Sequence, residues 1–222
     1  MDLVHVLNRG VEKRTIFTNN RDYFRFIHNL FEFNDSDPIV NTFRRFDQVH
    51  NIEDSKDHKE RKRLVEIHVF CLMPNHYHLL LSERVKNGIP RFMHKLNMGY
   101  TKYFNLKYER TGTLFEGGYK SVPIIDEAHF IHLPYYIHLN PLDLVAPEWR
   151  RRTMKNPQRA LDQLAQYRWS SYIDYIGEKN FPSVTSRGFL SKVLGGPQQF
   201  KKHIHEWIRE MPLEQISDVI LE

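Results

Sequence analysis

The feature that most constrains the fold is an apolar run at positions 65–82, interrupted by Met73, Pro74 and Asn75. Residues 65–72 and 76–82 are rich in aliphatic and β-branched side chains, which favours two strands. Pro and Asn in so short a gap are typical of a tight reversal. The sequence therefore predicts an antiparallel β-hairpin with a histidine at the start of its second strand.

The remaining periodic segments indicate the topology around this hairpin. The alternating sequence Leu-Val-His-Val-Leu at 3–7 predicts a strand. Apolar residues at helical spacing predict helices over 22–33 and 89–108. A strand is expected at 120–125, followed by a helix that opens at Asp126 and stops near Asn140, because a proline comes next. The predicted order is strand, helix, strand, strand, helix, strand, helix. It corresponds to an α+β fold, the ferredoxin-like split βαβ arrangement with a central antiparallel sheet and an extra helix.

Two segments lie outside this pattern. Residues 34–63 contain a run of charged residues and are interpreted as an insertion whose charges form a solvated face. The pattern changes again from about 144, so we expect residues 1–143 to form the principal domain and 144–222 a C-terminal extension. The aromatic sequence at 167–172 is expected to pack this helical tail onto the core, and 197–211 is its predicted amphipathic helix.

Composition narrows the class of protein. The 222 residues include 32 Lys and Arg against 27 Asp and Glu, a net charge of +5 that is compatible with a polyanionic partner. The single cysteine, Cys71, lies in the apolar run and is interpreted as a packing residue, so no disulfide framework is expected. No secretory signal is visible, and no apolar stretch approaches the roughly 20 residues needed to cross a bilayer. We therefore expect a soluble, cytoplasmic protein.

Two histidines at the head of the second hairpin strand are candidate metal ligands. Side chains alternate along a strand, so His76 and His78 project from one face, about 6 to 7 Å apart along the chain, while Tyr77 points to the other. Two imidazoles at this separation can bind one divalent ion. A histidine on a strand can equally be a hydrogen-bonded core residue, and the pair alone leaves both interpretations open.

The predicted helix before Pro141 carries a second group of polar side chains. At about 100° per residue, Tyr136 and Asn140 are about 40° apart and share a helix face, whereas Tyr135 lies about 140° from Asn140. The Asn140 amide oxygen could provide a third ligand, with the Tyr136 phenol one turn earlier beside the same ion. The alternative is an aromatic helix face packed on the sheet. Three neighbouring side chains are assigned to packing or supporting roles: His132, Tyr135 and His138.

Several motifs occur in a fixed order over roughly 4–176, the insertion excluded. The two most specific are Leu-Met-Pro-Asn-His-Tyr-His-Leu-Leu-Leu at 72–81 and Tyr-Ile-His-Leu-Asn-Pro at 136–141. The others are Asn8-Arg9-Gly10, Tyr-Thr-Lys-Tyr-Phe-Asn at 100–105, Gly-Thr-Leu-Phe-Glu-Gly at 112–117, Tyr119-Lys120-Ser121 and Trp169-Ser170-Ser171-Tyr172. Together they resemble the single-tyrosine HUH transposases, and most closely the REP-associated tyrosine transposases. The resemblance implies that His76 and His78 are the HUH metal ligands, Asn140 the third ligand and Tyr136 the nucleophile.

The resemblance also implies an activity and its partners. The chain would be a metal-dependent single-stranded DNA endonuclease and strand transferase, active in DNA transposition and recombination. Its substrate would be a hairpin-forming palindromic repeat, cleaved through a 5′-phosphotyrosine intermediate with Mg²⁺ or Mn²⁺ as cofactor. It would act in the cytoplasm, associated with the nucleoid, as a monomer or a homodimer, and the C-terminal tail would be a further candidate for DNA contact.

Candidate DNA-binding residues come from two sources. Tyrosines and lysines alternate along the predicted helix at 89–108, where rings can stack on bases and cations can contact phosphates. The alternative for these residues is a core stripe with a solvated basic face. The helix contributes Lys95, Lys102, Tyr103 and Lys107, and the motifs contribute Arg9, Tyr119 and Lys120.

The chain departs from the family pattern at two positions. Gly118 stands where the family usually has a basic residue, which removes one expected phosphate contact. Pro134 precedes the tyrosines within the predicted helix, where its missing N–H cannot bond the carbonyl of Phe130 and should kink or restart the helix. Neither change removes a proposed catalytic atom.

Two other functions remain open on the sequence. A metal hydrolase could use His76 and His78 as a zinc half-site, with Tyr136 purely structural; it would bind metal without capturing DNA covalently. A catalytically idle protein could bind the repeat DNA without cleaving it. All the residue types needed for the chemistry are present, so the active enzyme is the preferred interpretation.

Overall fold

A four-stranded antiparallel sheet forms the centre of the molecule. The computed structural model describes residues 2–37, 61–151, 156–210 and 217–221, so most of the predicted insertion lies outside the described residues. The sheet order is β2-β3-β1-β4. Its strands are β1 (Leu3–Arg9), β2 (Val65–Met73), β3 (His76–Glu83) and β4 (Lys120–Pro123).

The connections between the strands confirm the ferredoxin-like topology. Helix α1 (Asn20–Glu32) joins β1 to β2, and β3 lies between those two strands, which makes the βαβ unit split. Helix α2 (Gly88–Lys107) joins β3 to β4, and α3 (Glu127–Leu139) follows β4. Two 3₁₀ segments come next, Asn140–Leu144 and Pro147–Arg151. The C-terminal helices are α4 (Pro157–Gln166), α5 (Tyr172–Tyr175), α6 (Gly188–Val193) and α7 (Gly196–Glu210).

Alternation along β3 divides its side chains between two cores. Tyr77, Leu79 and Leu81 belong to the apolar core shared with α1 and α2. Leu80, on the other face, belongs to the core formed with α3 and the C-terminal helices. His76 and His78 have the same parity as Leu80, so they face α3, as the period of two predicted.

The turn of the central hairpin is shorter than expected. Met73 pairs with His76, so only Pro74 and Asn75 remain outside the ladder. Their carbonyls accept hydrogen bonds from the segment after β1: Gly10 N–H bonds to Asn75 O at 2.8 Å, and Ile16 N–H bonds to Pro74 O at 2.8 Å. These bonds hold the first residue of β3 in place against the end of β1.

The aromatic sequence at 167–172 packs against the sheet, as predicted. Trp169 stacks on Tyr23 of α1 with ring centroids 4.6 Å apart, and Leu72 N–H bonds to the Trp169 carbonyl at 2.9 Å. Ser171 Oγ accepts from Phe70 N–H at 3.0 Å. The C-terminal extension therefore covers the outer edge of β2, which would otherwise expose unpaired backbone groups. The boundary at residues 143 and 144 stays a prediction.

Helix α3 passes through Pro134 without restarting. The sequence analysis expected a kink or a restart there, because proline cannot bond the carbonyl one turn earlier. Leu133 and Pro134 are both buried, and the next residue, Tyr135, stacks on Phe200 of α7 at 5.1 Å. Packing on both sides of the proline thus offsets the lost hydrogen bond.

None of the helices in the described ranges has the length and apolar character that a membrane-spanning helix requires.

Candidate active site

His76 and His78 lie side by side on the face of β3 that packs against α3. Their ring centroids are 5.0 Å apart, with planes at 79°. His78 is fully buried and His76 is 8% exposed. The pair therefore lies at the edge of the core, with one ring inside it and the other at its boundary.

The Nδ1 atom of each ring is held by a protein group. His76 Nδ1 donates to Asn75 Oδ1 at 2.6 Å, and His78 Nδ1 is 3.0 Å from Nε2 of His5. These contacts orient the rings, so that the Nε2 atom of each ring points away from the group that contacts its Nδ1. No sequence motif indicated His5, although alternation along β1 places it on the same face as Leu3 and Leu7.

Tyr136 of α3 approaches the histidine pair from the facing layer. Its ring is 6.2 Å from that of His78 in a T-shaped arrangement, with planes at 88°, and the side chain is fully buried. The adjacent Tyr135 points elsewhere, with its hydroxyl 3.0 Å from Nδ1 of His203. The helical spacing predicted this difference between the two tyrosines.

Asn140 lies at the end of α3, where one arginine connects it to Tyr136. Its Nδ2 donates to the Tyr136 carbonyl at 3.0 Å, which fixes the amide plane. Arg150 donates through Nη2 to Asn140 Oδ1 at 3.1 Å and through Nη1 to Tyr136 Oη at 3.2 Å. The predicted nucleophile and the predicted third ligand are thus bridged by one guanidinium.

Asp143 holds Arg150 in this position. The carboxylate accepts from Arg150 Nε at 2.8 Å and from Nη2 at 2.6 Å, and it also accepts from Trp149 Nε1 at 2.6 Å. A bidentate pair of this kind fixes the plane of the guanidinium. The sequence did not indicate this role for Arg150, because a run of three arginines at 150–152 does not show which one turns inward.

The donor set is compatible with a divalent ion. The described ranges contain no group of three His, Cys, Asp or Glu side chains that could hold a metal. The donors proposed from the sequence are two imidazoles and the Asn140 amide, a mixed nitrogen and oxygen set that would leave positions for water and phosphate. The two histidines fit this role in position and orientation. Asn140 Oδ1 would have to share its lone pairs between the ion and Arg150.

Two of the predicted DNA-binding residues lie on the same sheet face as the histidines. Arg9 pairs directly with His76 across β1 and β3. Lys120 pairs with Leu7, whose partner on the other side is His78. Directly paired residues project from the same face of a sheet. Both cations therefore extend the face that carries the candidate site.

The other predicted DNA-binding residues belong to the opposite layer. Lys107 forms an ion pair with Asp22 at 2.5 Å, and the hydroxyl of Tyr103 donates to the same carboxylate at 2.9 Å. Lys95 donates to backbone carbonyls after α1, including that of Asp37 at 3.1 Å. Lys102 is exposed on α2, and Tyr119 packs partly buried against the α1 and α2 core. A DNA-binding role for this second group stays a prediction.

Comparisons with known proteins agree with the motifs. Residues 39–140 match the family model described as "Transposase IS200 like", a segment that covers slightly less than half of the chain and contains His76, His78, Tyr136 and Asn140. This segment is therefore similar to IS200-like transposases, which agrees with the transposase resemblance inferred from the motifs.

Two further comparisons are less informative. A solved structure described as "Structure of the REP associates tyrosine transposase bound to a REP hairpin" is similar at 13% identity and a TM-score of 0.48, over 83% of this chain and 84% of that one. A search of curated proteins found no match.

Proposed function

We propose that the chain is a single-tyrosine transposase that cuts and rejoins single-stranded DNA with the help of a divalent ion. One observation carries the proposal: the Tyr136 ring lies 6.2 Å from His78, beside the His76 and His78 pair, within the segment that matches IS200-like transposases. The match supports a transposase-like role in DNA, and the geometry supports a specific nucleophile.

In the proposed reaction the Tyr136 oxygen attacks the scissile phosphorus. A bond forms between the phenol oxygen and phosphorus, and the bond from phosphorus to the 3′ oxygen breaks. The phenol loses its proton, and the departing oxygen gains one to become a free 3′-hydroxyl. The 5′ end stays on the enzyme as a phosphotyrosine, so a 3′-hydroxyl from another strand can reverse the step and complete a transfer.

The resident ion would be held by His76, His78 and Asn140, with Mg²⁺ or Mn²⁺ as the proposed metal. When bound, it supplies positive charge to the phosphate oxygens. The protein supplies the rest of the arrangement: Asn75 and His5 orient the two imidazoles, and α3 brings the phenol against them.

Arg150 has a proposed role in the same step. Its guanidinium already contacts the phenol oxygen at 3.2 Å, and its carbon lies 5.4 Å from the centre of the Tyr136 ring. A fixed cation at this place stabilises negative charge as it develops on the attacking oxygen. The ion pair with Asp143 keeps the guanidinium in place before the substrate arrives.

The proposed substrate is single-stranded DNA next to a hairpin, as the family resemblance implies. Arg9 and Lys120 lie on the sheet face of the histidines and are the proposed phosphate contacts nearest the site. Phosphate contacts position a nucleic acid without reading its sequence. Recognition of the particular repeat sequence must therefore involve other surfaces. The C-terminal extension is the surface proposed for it.

Covalent capture of DNA tests the proposal directly. The purified protein is incubated with Mn²⁺ and a labelled set of single-stranded hairpins, and adducts are resolved on a denaturing gel. We expect an adduct from the wild type and none from Tyr136→Phe. Tyr135→Phe is the matched control and should retain the adduct, because the Tyr135 hydroxyl contacts His203 on another face of the helix.

A native gel and a metal titration of the same protein separate the rival functions. Binding of hairpin DNA without an adduct from the wild type would indicate a catalytically idle DNA-binding protein. Binding of metal with neither DNA binding nor an adduct would indicate the hydrolase interpretation. An undiminished adduct from Tyr136→Phe would exclude this tyrosine as the nucleophile.

A further inference from the structure

We propose that His5 is a positioning residue that sets the tautomer of His78, and that the backbone carbonyl of Val219 sets the tautomer of His5 in turn. The inference rests on the proposed function, since His78 matters as a ligand only if the site binds an ion. It assigns a role to a strand residue and to a C-terminal segment that neither the family motifs nor the helical spacing indicated.

The Val219 carbonyl, His5 and His78 form a relay of two hydrogen bonds. The groups that can only donate or only accept determine its direction. The Val219 carbonyl can only accept, so His5 Nδ1, at 2.7 Å, must carry its proton. A neutral His5 then has a lone pair on Nε2, which faces His78 Nδ1 at 3.0 Å. His78 must therefore donate from Nδ1, and its own lone pair lies on Nε2. A metal ligand whose Nδ1 is hydrogen-bonded to a protein group needs this tautomer, because only Nε2 is then left to bind the metal.

The surroundings of the relay hold both rings in register. The ring centroids are 5.2 Å apart with planes at 13°, and both side chains are fully buried. Leu7 pairs with His78 and His5 pairs with Leu80, so the two histidines are diagonal neighbours on adjacent strands. The backbone ladder keeps the two residues in register, and close packing in the buried core restricts rotation of the rings.

The C-terminal segment that holds His5 is itself anchored on α3. Val219 is 1% exposed within the core on that side of the sheet. The adjacent Asp218 contacts His129 Nε2 of α3 at 2.9 Å. The segment therefore contacts both the strand next to the histidine pair and the helix that carries Tyr136. It should couple the order of the C-terminus to the metal affinity of the site.

The first test measures proton positions in the wild-type protein without metal. Long-range ¹H–¹⁵N spectra of the histidine side chains distinguish Nδ1–H from Nε2–H in neutral imidazoles. We expect both His5 and His78 to carry the proton on Nδ1. A proton on Nε2 of His78 would overturn the relay. This measurement needs no metal and no DNA, so it remains decisive even if the proposed nuclease activity is absent.

The second test removes the acceptor while keeping the ring. His5→Phe keeps an aromatic ring beside His78 but offers no lone pair, so the Nδ1 tautomer of His78 loses its preference. We expect Mn²⁺ affinity, measured by titration calorimetry, to fall about 10- to 100-fold, the usual loss for a residue that orients a ligand. His68→Phe is the matched control. It removes an equally buried strand histidine, bonded to Ser82 at 2.8 Å, and should leave Mn²⁺ affinity unchanged.

A third variant covers the case in which His5→Phe does not fold. Val219→Glu places a charge at a buried position and should displace the segment from His5, whereas Val219→Ile should keep it in place. We expect the Nδ1–H signal of His78 and the Mn²⁺ affinity to weaken together in the glutamate variant alone. Equal affinities in both variants would contradict the proposed coupling. Wild-type protein that binds no Mn²⁺, yet shows the predicted tautomers, would refute the metal site and leave the relay intact.

Discussion

At the scale of single residues, the candidate site depends on side chains that make two or three specific contacts each. Arg150 is the clearest case, because one guanidinium reaches the Tyr136 phenol, the Asn140 amide and the Asp143 carboxylate. The guanidinium reaches these acceptors from three separate nitrogen atoms in one plane. Lysine carries the same charge on a single nitrogen, so it cannot reproduce this set of contacts.

Arg150→Lys tests whether geometry as well as charge matters at this position. We expect the rate of adduct formation to fall about 100-fold, the usual loss when one donor to a developing negative charge is removed. Single-turnover assays with Mn²⁺ and hairpin DNA give the rate. Arg159→Lys, at an exposed position on α4, is the control and should be neutral. A wild-type rate in Arg150→Lys would limit the role of the guanidinium to its charge.

At the scale of elements, helices α1 and α2 are joined by a buried carboxylate. Asp22 closes the capping box at the start of α1, and it also accepts from Lys107, Tyr103 and Tyr108 near the end of α2. Burial raises the pKa of the Asp22 carboxyl, but the hydrogen bonds from Lys107 and Tyr108 outweigh it and hold the pKa below its ordinary value. Two of the predicted DNA-binding residues are thus engaged in holding the helices together.

Asp22→Asn should lower the free energy of unfolding by about 2 kcal/mol at pH 7, because a cap and a charge-assisted contact are both weakened. Since the folded pKa is lowered, the stability from the ionised carboxylate is present above about pH 4 and is lost as the pH falls below that value. The difference between wild type and variant, measured by urea unfolding, should therefore shrink as the pH is lowered from about 4. Exposed Asp162→Asn should show no such trend.

At the scale of the whole molecule, the C-terminal extension contributes side chains to both cores of the sheet. Trp169, 8% exposed, stacks on Tyr23 of α1, and residues 169–171 bond to the edge strand β2. The core on the α3 side also contains side chains from α4 to α7. This arrangement predicts that the extension contributes to the stability of the sheet and unfolds together with it.

Trp169→Ala should destabilise the protein by about 3 kcal/mol, as expected for truncation of a large buried aromatic side chain. Phe189→Ala is the matched control in the same extension and should cost much less, because Phe189 is 42% exposed. If sheet and extension form one cooperative unit, both variants unfold in a single transition by fluorescence and by circular dichroism. Two separate transitions in Trp169→Ala would support an independent domain after residue 143.

Some features of the molecule follow from local chain geometry and were predictable from the sequence. The period of two in a strand places His76 and His78 on one face, and the period of 3.6 in a helix separates Tyr136 from Tyr135. The order of the periodic segments is enough to predict the split βαβ topology. These patterns need no knowledge of which elements touch, because they depend only on the backbone of each element.

Other features depend on contacts between distant parts of the chain. His5 reaches His78 across two strands and Val219 across almost the whole sequence, and Arg150 turns back onto α3 from a 3₁₀ segment. Lys107 and Tyr103 remain predicted DNA contacts, and the fold also places Asp22 beside them, a partner that their spacing could not indicate. The position of a residue in a periodic segment determines which face of its strand or helix it occupies. Only the packed structure determines what lies opposite that face.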